Sequence, residues 1–494
     1  MYTILWIFIT LQIIMGGTDT LFHHELTEKL AWRPKQTHEL LLHAIRNIFY
    51  AVIFFGLATV QPGGLWAYGI IAALLLEFMI TLRDFVEEDL TRKLPISERL
   101  LHTVLTANYG VVLALLIPVL WSWGKDPTGL TGVWHNYWSV FLIFGAVVVF
   151  ILGLRDFHAT ARLKKLYTRP INELIETART PKTILITGGT GFIGRRLIPA
   201  LQYAGHRIIV LTRNSRAADL PAPISYIENL DHIRNEDKID IVINFAGEAL
   251  STGLWTDKKK AKVIKSRIGI TRQLNTLINR LNIKPELLLN GSAIGVYGVN
   301  PTTPTGDTEI NEATPIDVDG TFSQQFCLDW EAEALKAQQH GLRVVLFRIG
   351  MVLDRDGAAL RQLLIPTEFG GGATFGKGDF YMSWVTRDDI VGMVGHIIQT
   401  PKISGPVNGV APNPVSNKVF TKAVAKALYR PTLVRIPKII IRALGGLGRE
   451  ILLADQKILP KVALETGYVF KDPIIETAML KQLRAQPSIV QQET

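Results

Sequence analysis

Cysteine is almost absent from this chain of 494 residues, which contains Cys327 alone. A single thiol excludes an intramolecular disulfide and any zinc cluster built from cysteines. We find no internal repeat and no low-complexity tract, so a repeat architecture is not expected. The formal charge is +10, but the basic residues lie largely in loops beside apolar runs. This placement favours anionic lipid head groups over nucleic acid as their partner.

Apolar residues are unevenly distributed, and the first 155 residues hold most of the excess behind a mean hydropathy of +0.22. Five runs there are long enough, or nearly so, to cross a hydrocarbon layer of roughly 30 Å. The predicted spans lie near 1–17, 42–61, 64–82, 101–122 and 136–154. The first run could instead be a signal peptide, but it lacks a basic start and a small-residue cleavage site. We therefore interpret it as a retained anchor.

Lysine and arginine are concentrated in alternate loops between these runs. The basic loops follow the first, third and fifth runs and contain Lys29, Arg33, Lys35, Arg92, Lys93, Arg99, Arg162, Lys164, Lys165 and Arg169. The two other loops contain Lys125 alone. Because short loops that carry positive charge stay in the cytoplasm, we expect a multi-pass protein of the inner (cytoplasmic) membrane. Its N-terminus would lie outside, and the domain after residue 155 would lie in the cytoplasm.

A strand, a glycine turn and a helix start follow one another in TILITGGTGFIG, residues 183–194. Glycine recurs there at every third residue after a buried β-pattern. Such a turn lets the backbone approach a pyrophosphate closely, while the first amides and the dipole of the helix attract the anion. The predicted cofactor-binding residues of the turn are Gly188, Thr190, Gly191, Phe192, Ile193 and Gly194. The turn therefore predicts a dinucleotide site.

Strand and helix signals alternate from residue 183 onwards, as in a Rossmann-like, doubly wound parallel sheet. Beyond the first strand, the predicted strands cover 207–211, 239–245, 286–290 and 344–348, and the predicted helices cover 192–204, 257–281, 322–339 and 358–365. The expected organisation is a helical membrane bundle over 1–155, a linker over 156–182, an α/β domain over 183–485 and a tail over 486–494. Within the α/β domain, a small substrate subdomain is expected mainly over 360–480.

The end of the second strand indicates the cofactor preference. An acidic residue there would bind the adenosine ribose, whereas an arginine pairs with a 2′-phosphate. The sequence has Arg213 and no carboxylate over 211–214, which favours NADP(H) over NAD(H); a solvated surface arginine is the alternative. Arg195 and Arg196 either add positive charge or lie on the helix surface. Ala246 and Gly247, after the fourth strand, leave room for the middle of the cofactor.

Seven motifs together resemble the extended short-chain dehydrogenase/reductases, and in particular the epimerase-family branch that is often fused to membrane segments. They are GGTGFIG at 188–194, NFAGE at 244–248, WTDKKKAKVIKSR at 255–267, GSAIGVYG at 291–298, FRIGMVL at 347–353, SWVTRDDIV at 383–391 and the run 456–473. The resemblance covers 183–480. It implies an NAD(P)-binding fold with oxidoreductase or epimerase activity, and it leaves the substrate open.

The sequence departs from this superfamily at the usual catalytic pair. Members that exchange hydride generally use Tyr-x-x-x-Lys, in which the lysine lowers the pKa of the tyrosine. Alignment on Glu331 puts Ser323 and Cys327 at these two positions. Cys327 is either a nucleophile or a small buried residue, and its apolar helical face favours the second reading. The remaining catalytic candidates are Ser292, which would bind the substrate oxygen, and Tyr297, which would transfer the proton or merely line the pocket.

Two further features lie nearer the C-terminus. Asp388 and Asp389 are predicted to orient a loop or to cap a helix that begins at Ile390. Glycines at 370–372, 376 and 378 predict mobile loops over a substrate cleft. The run 436–454 is either an interfacial helix or, as we favour, part of the packed core of the substrate subdomain.

Charged residues inside the predicted spans need a reason, because each costs roughly 2.5–3.5 kcal/mol at the centre of a helix. The polar cluster predicted in these spans consists of His43, Glu77, Asp84, Glu88 and His102. Partners available in neighbouring segments are His23, His24, Glu25, Arg46, Asn47 and Asn108. The cluster could hold iron or manganese, form buried ion pairs such as Arg46 with Glu77, or bind a quinone or lipid head group. Since the spans contain no Glu-x-x-His pair and no histidine box, we predict no metal there, and a transition metal stays the less favoured alternative.

Three functions are consistent with these patterns. The leading hypothesis is a membrane-anchored NADP(H)-dependent oxidoreductase or epimerase that acts on a lipophilic or membrane-derived substrate at the cytoplasmic face. The second is a nucleotide-binding sensor that has lost catalysis and signals to the bundle or to a partner, which the missing Tyr-x-x-x-Lys pair favours. The third makes the bundle the reactive centre and the α/β domain its electron supplier, although no flavin motif supports it.

Overall fold

The structure of the protein is a computed structural model. It describes residues 2–28, 30–33, 36–91, 94–166, 168–178, 180–213, 223–248, 256–299, 309–368, 372–437 and 454–484. These residues form two compact units, one within 2–166 and the other within 168–484. The division separates the apolar runs of the sequence from its alternating strands and helices.

Five long helices form the first unit, the helical unit. Their bounds are Tyr2–Asp19 (α1), Thr37–Thr59 (α2), Leu65–Thr91 (α3), Ile96–Trp123 (α4) and Tyr137–Lys164 (α5). All five are long and apolar enough to cross a membrane, in agreement with the five predicted runs. The first run extends further than expected, because α1 continues as a π-helical segment over Thr20–Glu28 and a 3₁₀ turn over Leu30–Trp32.

Two loops at one end of the helical unit pair with each other. Val60–Gly63 follows α2, Gly129–Gly132 follows α4, and the two short strands are antiparallel. They belong to the two loops that the sequence identifies as poor in lysine and arginine. Both of these loops therefore lie at the same end of the unit.

The helical unit buries polar side chains and exposes apolar ones. Glu77, Asp84 and Glu88 are 0% exposed, whereas Val52 is 68% exposed and Phe144 67%. The acidic groups have partners within the unit, and the unit also has an apolar core. Because water-soluble proteins rarely expose continuous apolar surface, the exposed apolar side chains are the feature that the predicted spans would explain.

Seven parallel strands form the sheet of the second unit, the α/β unit. Their bounds are Thr183–Thr187 (β1), Arg207–Leu211 (β2), Ser225–Ile227 (β3), Ile241–Asn244 (β4), Leu287–Ala293 (β5), Arg343–Ile349 (β6) and Gly405–Gly409 (β7). Their order in the sheet is β7-β6-β5-β4-β1-β2-β3. The order reverses between β1 and β4, which confirms the doubly wound, Rossmann-like sheet and places a crevice at the carboxyl ends of these two strands.

Helices alternate with these strands along the chain. Their bounds are Gly194–Tyr203 (α6), Asp257–Ile264 (α7), Ile270–Arg280 (α8), Phe322–Leu335 (α9), Ala358–Glu368 (α10), Arg387–Gln399 (α11), Asn417–Ala427 (α12), Lys461–Glu465 (α13) and Ile475–Leu483 (α14). Four short strand pairs lie outside the main sheet: Met351–Leu353 with Trp384–Thr386, Ala373–Phe375 with Val434–Ile436, Tyr381–Met382 with Val415–Ser416, and Glu309–Ile310 with Lys457–Ile458.

Sequence periodicity missed strands β3 and β7 and a break in one helix. Strand β7 reads Gly-Pro-Val-Asn-Gly, a composition typical of turns, and it is tolerated because it lies at the edge of the sheet. Strand β7 lies within the expected substrate subdomain over 360–480, so the main sheet continues past the predicted boundary at 360. The helix predicted over 257–281 is interrupted by a π-helical segment at Lys265–Gly269.

The predicted linker over 156–182 does not behave as a separate segment. Its first residues continue α5, which ends at Lys164. Its later residues pack on the α/β unit, where Leu174 and Ile175 are 2% and 4% exposed. Arg169 also binds Asp472 at 3.2 Å. The apolar side chains of this segment explain the difference, since their burial against the sheet domain is favourable.

Some predictions lie outside the described residues. They concern most of the run 436–454, of which 438–453 is not described, two of the glycines at 370–371, and the tail over 486–494. The structure does not test these predictions.

Candidate functional site

The glycine turn after β1 is closed tightly against the neighbouring backbone. Gly188 has a φ of +72°, and a Cβ atom there would lie 2.3 Å from the carbonyl oxygen of Phe245. A Cβ atom at Gly194 would lie 2.3 Å from the carbonyl oxygen of Gly189. Helix α6 starts at Gly194. The amides of Arg195, Arg196 and Leu197 donate to the carbonyl oxygens of Gly191 and Ile193 at 3.0 Å, so an anion here would bind to the amides that precede Arg195. The turn thus offers main-chain N–H groups at the crevice of the sheet, as a pyrophosphate site requires.

Phe192 and Ile193 anchor the turn. The guanidinium of Arg387 lies 4.9 Å from the centre of the Phe192 ring, and Arg387 also pairs with Asp354 at 3.0 Å. A Cβ atom at Gly357 would lie 2.9 Å from the tip of the Phe192 ring. Ile193 packs on the main core. Residues distant in sequence therefore brace the turn from the opposite side.

The two arginines that follow the turn have internal partners. Arg195 Nε donates to the carbonyl oxygen of Thr190 at 2.9 Å. Arg196 Nε donates to Asp388 Oδ1 at 2.8 Å, and its terminal nitrogen donates to the carbonyl oxygen of Arg169 at 2.6 Å. Of the two roles that the sequence left open, the structural one is therefore observed.

A buried polar network connects the carboxyl ends of three strands. Asn244 accepts a hydrogen bond from the Thr187 hydroxyl at 2.6 Å and donates to Asn290 at 2.6 Å and to Thr271 at 2.9 Å. The indole of Trp330 donates to the hydroxyl of Thr271 at 3.0 Å. These bonds satisfy the side-chain amide of Asn244 inside the protein, as burial demands. The network fixes β1, β4 and β5 in register beside the crevice.

Ala246 and Gly247 lie on the loop after β4. The amide of Ala246 donates to the Thr187 hydroxyl at 3.2 Å, and a Cβ atom at Gly247 would lie 2.6 Å from the guanidinium carbon of Arg267. Arg267 lies 5.5 Å from the centre of the Trp330 ring, and burial lowers its pKa to about 10. The sequence indicated only that 255–267 forms a motif. The structure shows that Arg267 reaches this loop together with Lys259, Lys262 and Ser266, which bind Glu248.

Arg213 lies two residues beyond β2, on the strand adjacent to β1. Leu211 at the end of β2 is in register with Thr187 at the end of β1, and Arg213 itself is exposed. Residues 214–222, which follow it, are outside the described part of the chain. Binding of an adenosine ribose or its 2′-phosphate by Arg213 remains a prediction.

The structure brings Ser292 and Tyr297 into one buried network. Ser292 Oγ donates to Glu331 at 2.7 Å, and Arg348 donates two bonds of 2.9 Å to the same carboxylate. Arg348 also donates to the Tyr297 hydroxyl at 2.9 Å. That hydroxyl donates to Asn408 Oδ1 at 2.9 Å. Sequence reasoning missed Arg348, whose position inside the FRIGMVL motif is the only signal for it.

Both hydroxyls are therefore satisfied inside the protein. Ser292 is 4% exposed and Tyr297 is 3% exposed. Burial raises the pKa of Tyr297, so its hydroxyl stays neutral near neutral pH. The catalytic roles predicted for these two residues remain predictions, and either role requires the substrate to replace a bond of this network.

Ser323 and Cys327 lie one helical turn apart on α9, beside Gly295. A Cβ atom at Gly295 would lie 3.7 Å from Cys327 Sγ and 3.9 Å from Ser323 Cβ. Cys327 is 3% exposed, and burial raises the pKa of its thiol to about 12. A thiol with such a pKa is inert at neutral pH, in agreement with the reading of Cys327 as a small buried residue.

The helix that Asp388 or Asp389 was expected to cap begins three residues earlier than predicted, so both aspartates lie in its first turn and neither is its N-cap. The N-cap of α11 is Thr386, which accepts from the amide of Asp389 at 3.2 Å and donates back to its carboxylate at 2.8 Å. The same carboxylate accepts from the amides of Lys471 and Asp472 at 2.7 and 3.1 Å. Asp389 thus holds the C-terminal segment against α11, while Asp388 binds Arg196.

The predicted polar cluster of the helical unit is assembled at its centre. Arg46 binds Asp84 and lies 3.7 Å from Glu77, so the predicted ion pair exists with Asp84 as the nearer partner. His43 Nε2 lies 3.2 Å from Asp84 and 3.7 Å from Glu88. The sequence pattern did not include Asp19 or Glu98 in the cluster, because both lie just outside the predicted spans 1–17 and 101–122, whereas helices α1 and α4 extend to include them.

The α/β unit thus has the fold and the glycine turn of a short-chain dehydrogenase/reductase. Its residues 184–406 match the model of the NAD dependent epimerase/dehydratase family, and residues 436–481 match a domain of unknown function, DUF1731. The chain is 34% identical over 312 residues to the epimerase family protein YfhF of Bacillus subtilis, covering 62% of this chain and 99% of YfhF. The chain belongs to this epimerase family.

Relatives occur in plants and animals. The chain is 34% identical over 305 residues to the chloroplastic epimerase family protein SDR39U1 homolog of Arabidopsis thaliana, covering 60% of this chain and 85% of that protein. Among solved structures it is similar to human epimerase family protein SDR39U1 with NADPH, with a TM-score of 0.53 and 27% identity over 61% of this chain and 99% of the other. A nucleoside-diphosphate sugar epimerase from Corynebacterium glutamicum gives a TM-score of 0.50 and 28% identity over 64% and 60% of the two chains.

Proposed function

We propose that the α/β unit binds NADPH at the glycine turn and uses it in an oxidoreductase or epimerase reaction. The observation that carries this proposal is the close contact between Gly188 and the backbone of Phe245, which holds the turn against the loop after β4. Helix α6 begins at the end of the same turn, at Gly194. The similar human protein was solved with NADPH, which supports the choice of the phosphorylated coenzyme. When bound, the nicotinamide would supply or accept a hydride.

Arg213 is proposed to bind the 2′-phosphate of NADPH. Fluorescence titration of the full chain in nanodiscs should show that Arg213→Glu weakens NADPH binding by about tenfold more than NADH binding, because a favourable charge pair becomes a repulsive one. Arg207→Glu is the matched control, since Arg207 is an exposed arginine at the other end of the same strand. If Arg213→Glu lost equal affinity for NADPH and NADH, Arg213 would not bind the 2′-phosphate.

A catalytically inactive sensor is the second candidate, and one observation favours it. The Ser292 hydroxyl is hydrogen-bonded to Glu331, and the Tyr297 hydroxyl is hydrogen-bonded to Arg348 and Asn408. The usual Tyr-x-x-x-Lys pair is also missing from the sequence. Incubation of membranes with NADPH and fractionated lipid extracts, with NADPH absorbance as the readout, separates the two candidates. Turnover that depends on one fraction supports the enzyme, whereas tight NADPH binding without turnover in any fraction supports the sensor.

We also propose that the helical unit anchors the protein in the inner membrane and that the substrate is lipophilic. The supporting features are five apolar helices, outward-facing apolar side chains and two weakly basic loops at one end of the unit. Reporter fusions test the orientation: a fluorescent protein fused after 494 should fluoresce, and alkaline phosphatase at the same point should stay inactive. Active phosphatase there would place the α/β unit outside the cytoplasm and contradict the proposal.

A further inference from the structure

Four potential metal ligands converge in the helical unit from segments that are far apart in sequence. Asp19 ends α1, His24 lies in the π-helical segment, and Glu98 and His102 lie on α4. One ligand atom from each lies within 4.8 Å of every other one, and all four residues are buried. Exposure of these residues is between 0% and 8%. Histidine and carboxylate in equal numbers distinguish this group from a simple cluster of acidic residues.

The distances between the ligand atoms fit the edges of a coordination shell. His102 Nε2 lies 3.1 Å from Asp19 Oδ2, His24 Nε2 lies 3.3 Å from the same oxygen, and His24 Nε2 lies 3.8 Å from Glu98 Oε1. Metal–ligand bonds of about 2.1 Å give edges of roughly 3.0 to 3.4 Å in octahedral and tetrahedral sites. Two of these three distances already lie in that range, and every pair of the four ligand atoms lies within 4.8 Å, so the side chains need to move inward to bind one ion.

The buried ring of His24 points to a missing ligand. Among the described residues, His24 Nε2 has no hydrogen-bond partner, although Asp19 and Glu98 oxygens lie close to it. The residue is only 4% exposed. A buried polar atom without a hydrogen bond costs free energy of about 1–3 kcal/mol, and such an atom needs an explanation. Coordination of a metal by this nitrogen provides one.

The second ring nitrogen of His102 has the partner that a metal-bound histidine usually has. His102 Nδ1 lies 3.3 Å from Glu88 Oε2, on the opposite side of the ring from Asp19. A carboxylate at this nitrogen fixes the tautomer and turns the other nitrogen toward the metal. His23 Nδ1 similarly lies 2.8 Å from Asp19 Oδ1, so the carboxylate ligand is also held from behind.

Several acidic residues of the helical unit lie beside arginines: Arg46 binds Asp84 near Glu77, and Arg155 binds Glu25 and lies 3.5 Å from Asp156. The carboxylate of Asp19 lies beside the rings of His24 and His102, and that of Glu98 lies beside the ring of His24. A divalent cation between these four groups would balance the two carboxylates while both imidazoles stay neutral, the form in which histidine coordinates metals.

We propose that Asp19, His24, Glu98 and His102 bind one divalent first-row transition metal ion, with Glu88 as a positioning residue for His102. Two imidazole and two carboxylate ligands suit zinc, iron or manganese, whereas magnesium and calcium prefer oxygen ligands alone. Sequence patterns disfavoured a metal because they seek ligands spaced along one helix. Here the ligands come in two pairs, Asp19 with His24 and Glu98 with His102, from two stretches of the chain that meet only in the folded unit.

Metal analysis of the full chain tests this proposal. The protein is purified in nanodiscs, washed with EDTA to remove loosely bound ions and measured by mass spectrometry of the elements. We expect about one transition metal ion per chain and a loss of most of it in His24→Ala and His102→Ala. His158→Ala is the matched control, because His158 is an exposed histidine of the same unit, and it should retain the metal.

Cobalt provides a readout that does not depend on the metal acquired in the cell. The chelator-stripped protein titrated with Co²⁺ should develop visible absorption bands with about one equivalent, and Glu88→Gln should weaken the affinity by about 10- to 100-fold without abolishing binding. NADPH binding and gel filtration show that each variant is folded. Less than about one tenth of an equivalent in the wild type by both methods, or equal metal in the wild type and both ligand variants, would overturn the proposal.

Discussion

Gly188 is the residue whose conformation most directly determines the cofactor site. Gly188→Ala would place a Cβ atom against the Phe245 carbonyl at a positive φ, where an L-residue already costs roughly 1–2 kcal/mol. We expect NADPH affinity to fall by about tenfold or more, measured by fluorescence titration. Gly269→Ala is the control, because its nearest neighbour is 3.7 Å away. Unchanged affinity in Gly188→Ala would refute the assignment of the turn.

Cys327 offers a test of burial through its chemistry. Since burial raises the pKa of its thiol to about 12, the thiolate, which is the reactive form, is negligible at about pH 8. We expect no labelling by iodoacetamide in the native protein and complete labelling in denaturant, both measured by intact mass. Because the pKa lies far above this range, the thiolate fraction is small throughout, and labelling should stay negligible from neutral to mildly alkaline pH. Rapid labelling of the native protein would contradict the burial of Cys327 and would favour the alternative that this residue is a nucleophile.

At the scale of elements, α11 and the C-terminal segment are joined through one carboxylate. Asp389→Ala removes the acceptor for Thr386, Tyr468 and the amides of Lys471 and Asp472. Hydrogen bonds to a charged group contribute about 1.5–3 kcal/mol each, so we expect a loss of at least about 3 kcal/mol in the free energy of unfolding. Hydrogen exchange of 468–472 should accelerate as well.

Asp329→Ala is the matched control for this prediction, because Asp329 is exposed on α9. Its effect on stability should stay within about 0.5 kcal/mol. If exchange of 468–472 is equal in both variants, the carboxylate of Asp389 does not hold that segment.

Sequence periodicity identifies elements whose own side chains determine them. The strands β1, β2, β4, β5 and β6 carry continuous aliphatic residues and were all predicted, to within a few residues at their ends. Strand β7 was missed because its Gly-Pro-Val-Asn-Gly sequence becomes a strand only through pairing with β6. The site follows the same rule: the glycine turn is local and was predicted, whereas Arg267 and Arg348 reach it through tertiary packing that no local pattern encodes.

At the scale of the whole molecule, the division into two units predicts how the chain can be cut. The fragment 168–494 retains Leu174, Ile175 and the Arg169–Asp472 ion pair, so we expect it to be soluble and to bind NADPH within about threefold of the full chain. The fragment 183–494 loses these contacts, and its Tm should be lower by roughly 5 °C or more.

Differential scanning fluorimetry and NADPH titration compare the two fragments. Equal Tm values would show that 168–182 is the connecting segment that the sequence predicted, and aggregation of both fragments would show that the α/β unit needs the helical unit to fold.

The side-chain amide of Asn244, which is hydrogen-bonded to side chains of the neighbouring strands, also limits how the coenzyme can be recognised. Thr187, Asn244 and Asn290 are engaged with one another and with Thr271, the amide of Ala246 and the carbonyl oxygen of Gly291, so a ligand would have to break these bonds to be recognised by the three side chains. Recognition at the central strands must then come from main-chain atoms, which every residue shares, and selectivity must come from side chains at the periphery. Engineers who want another coenzyme should therefore change the neighbourhood of Arg213 and leave the middle of the sheet alone.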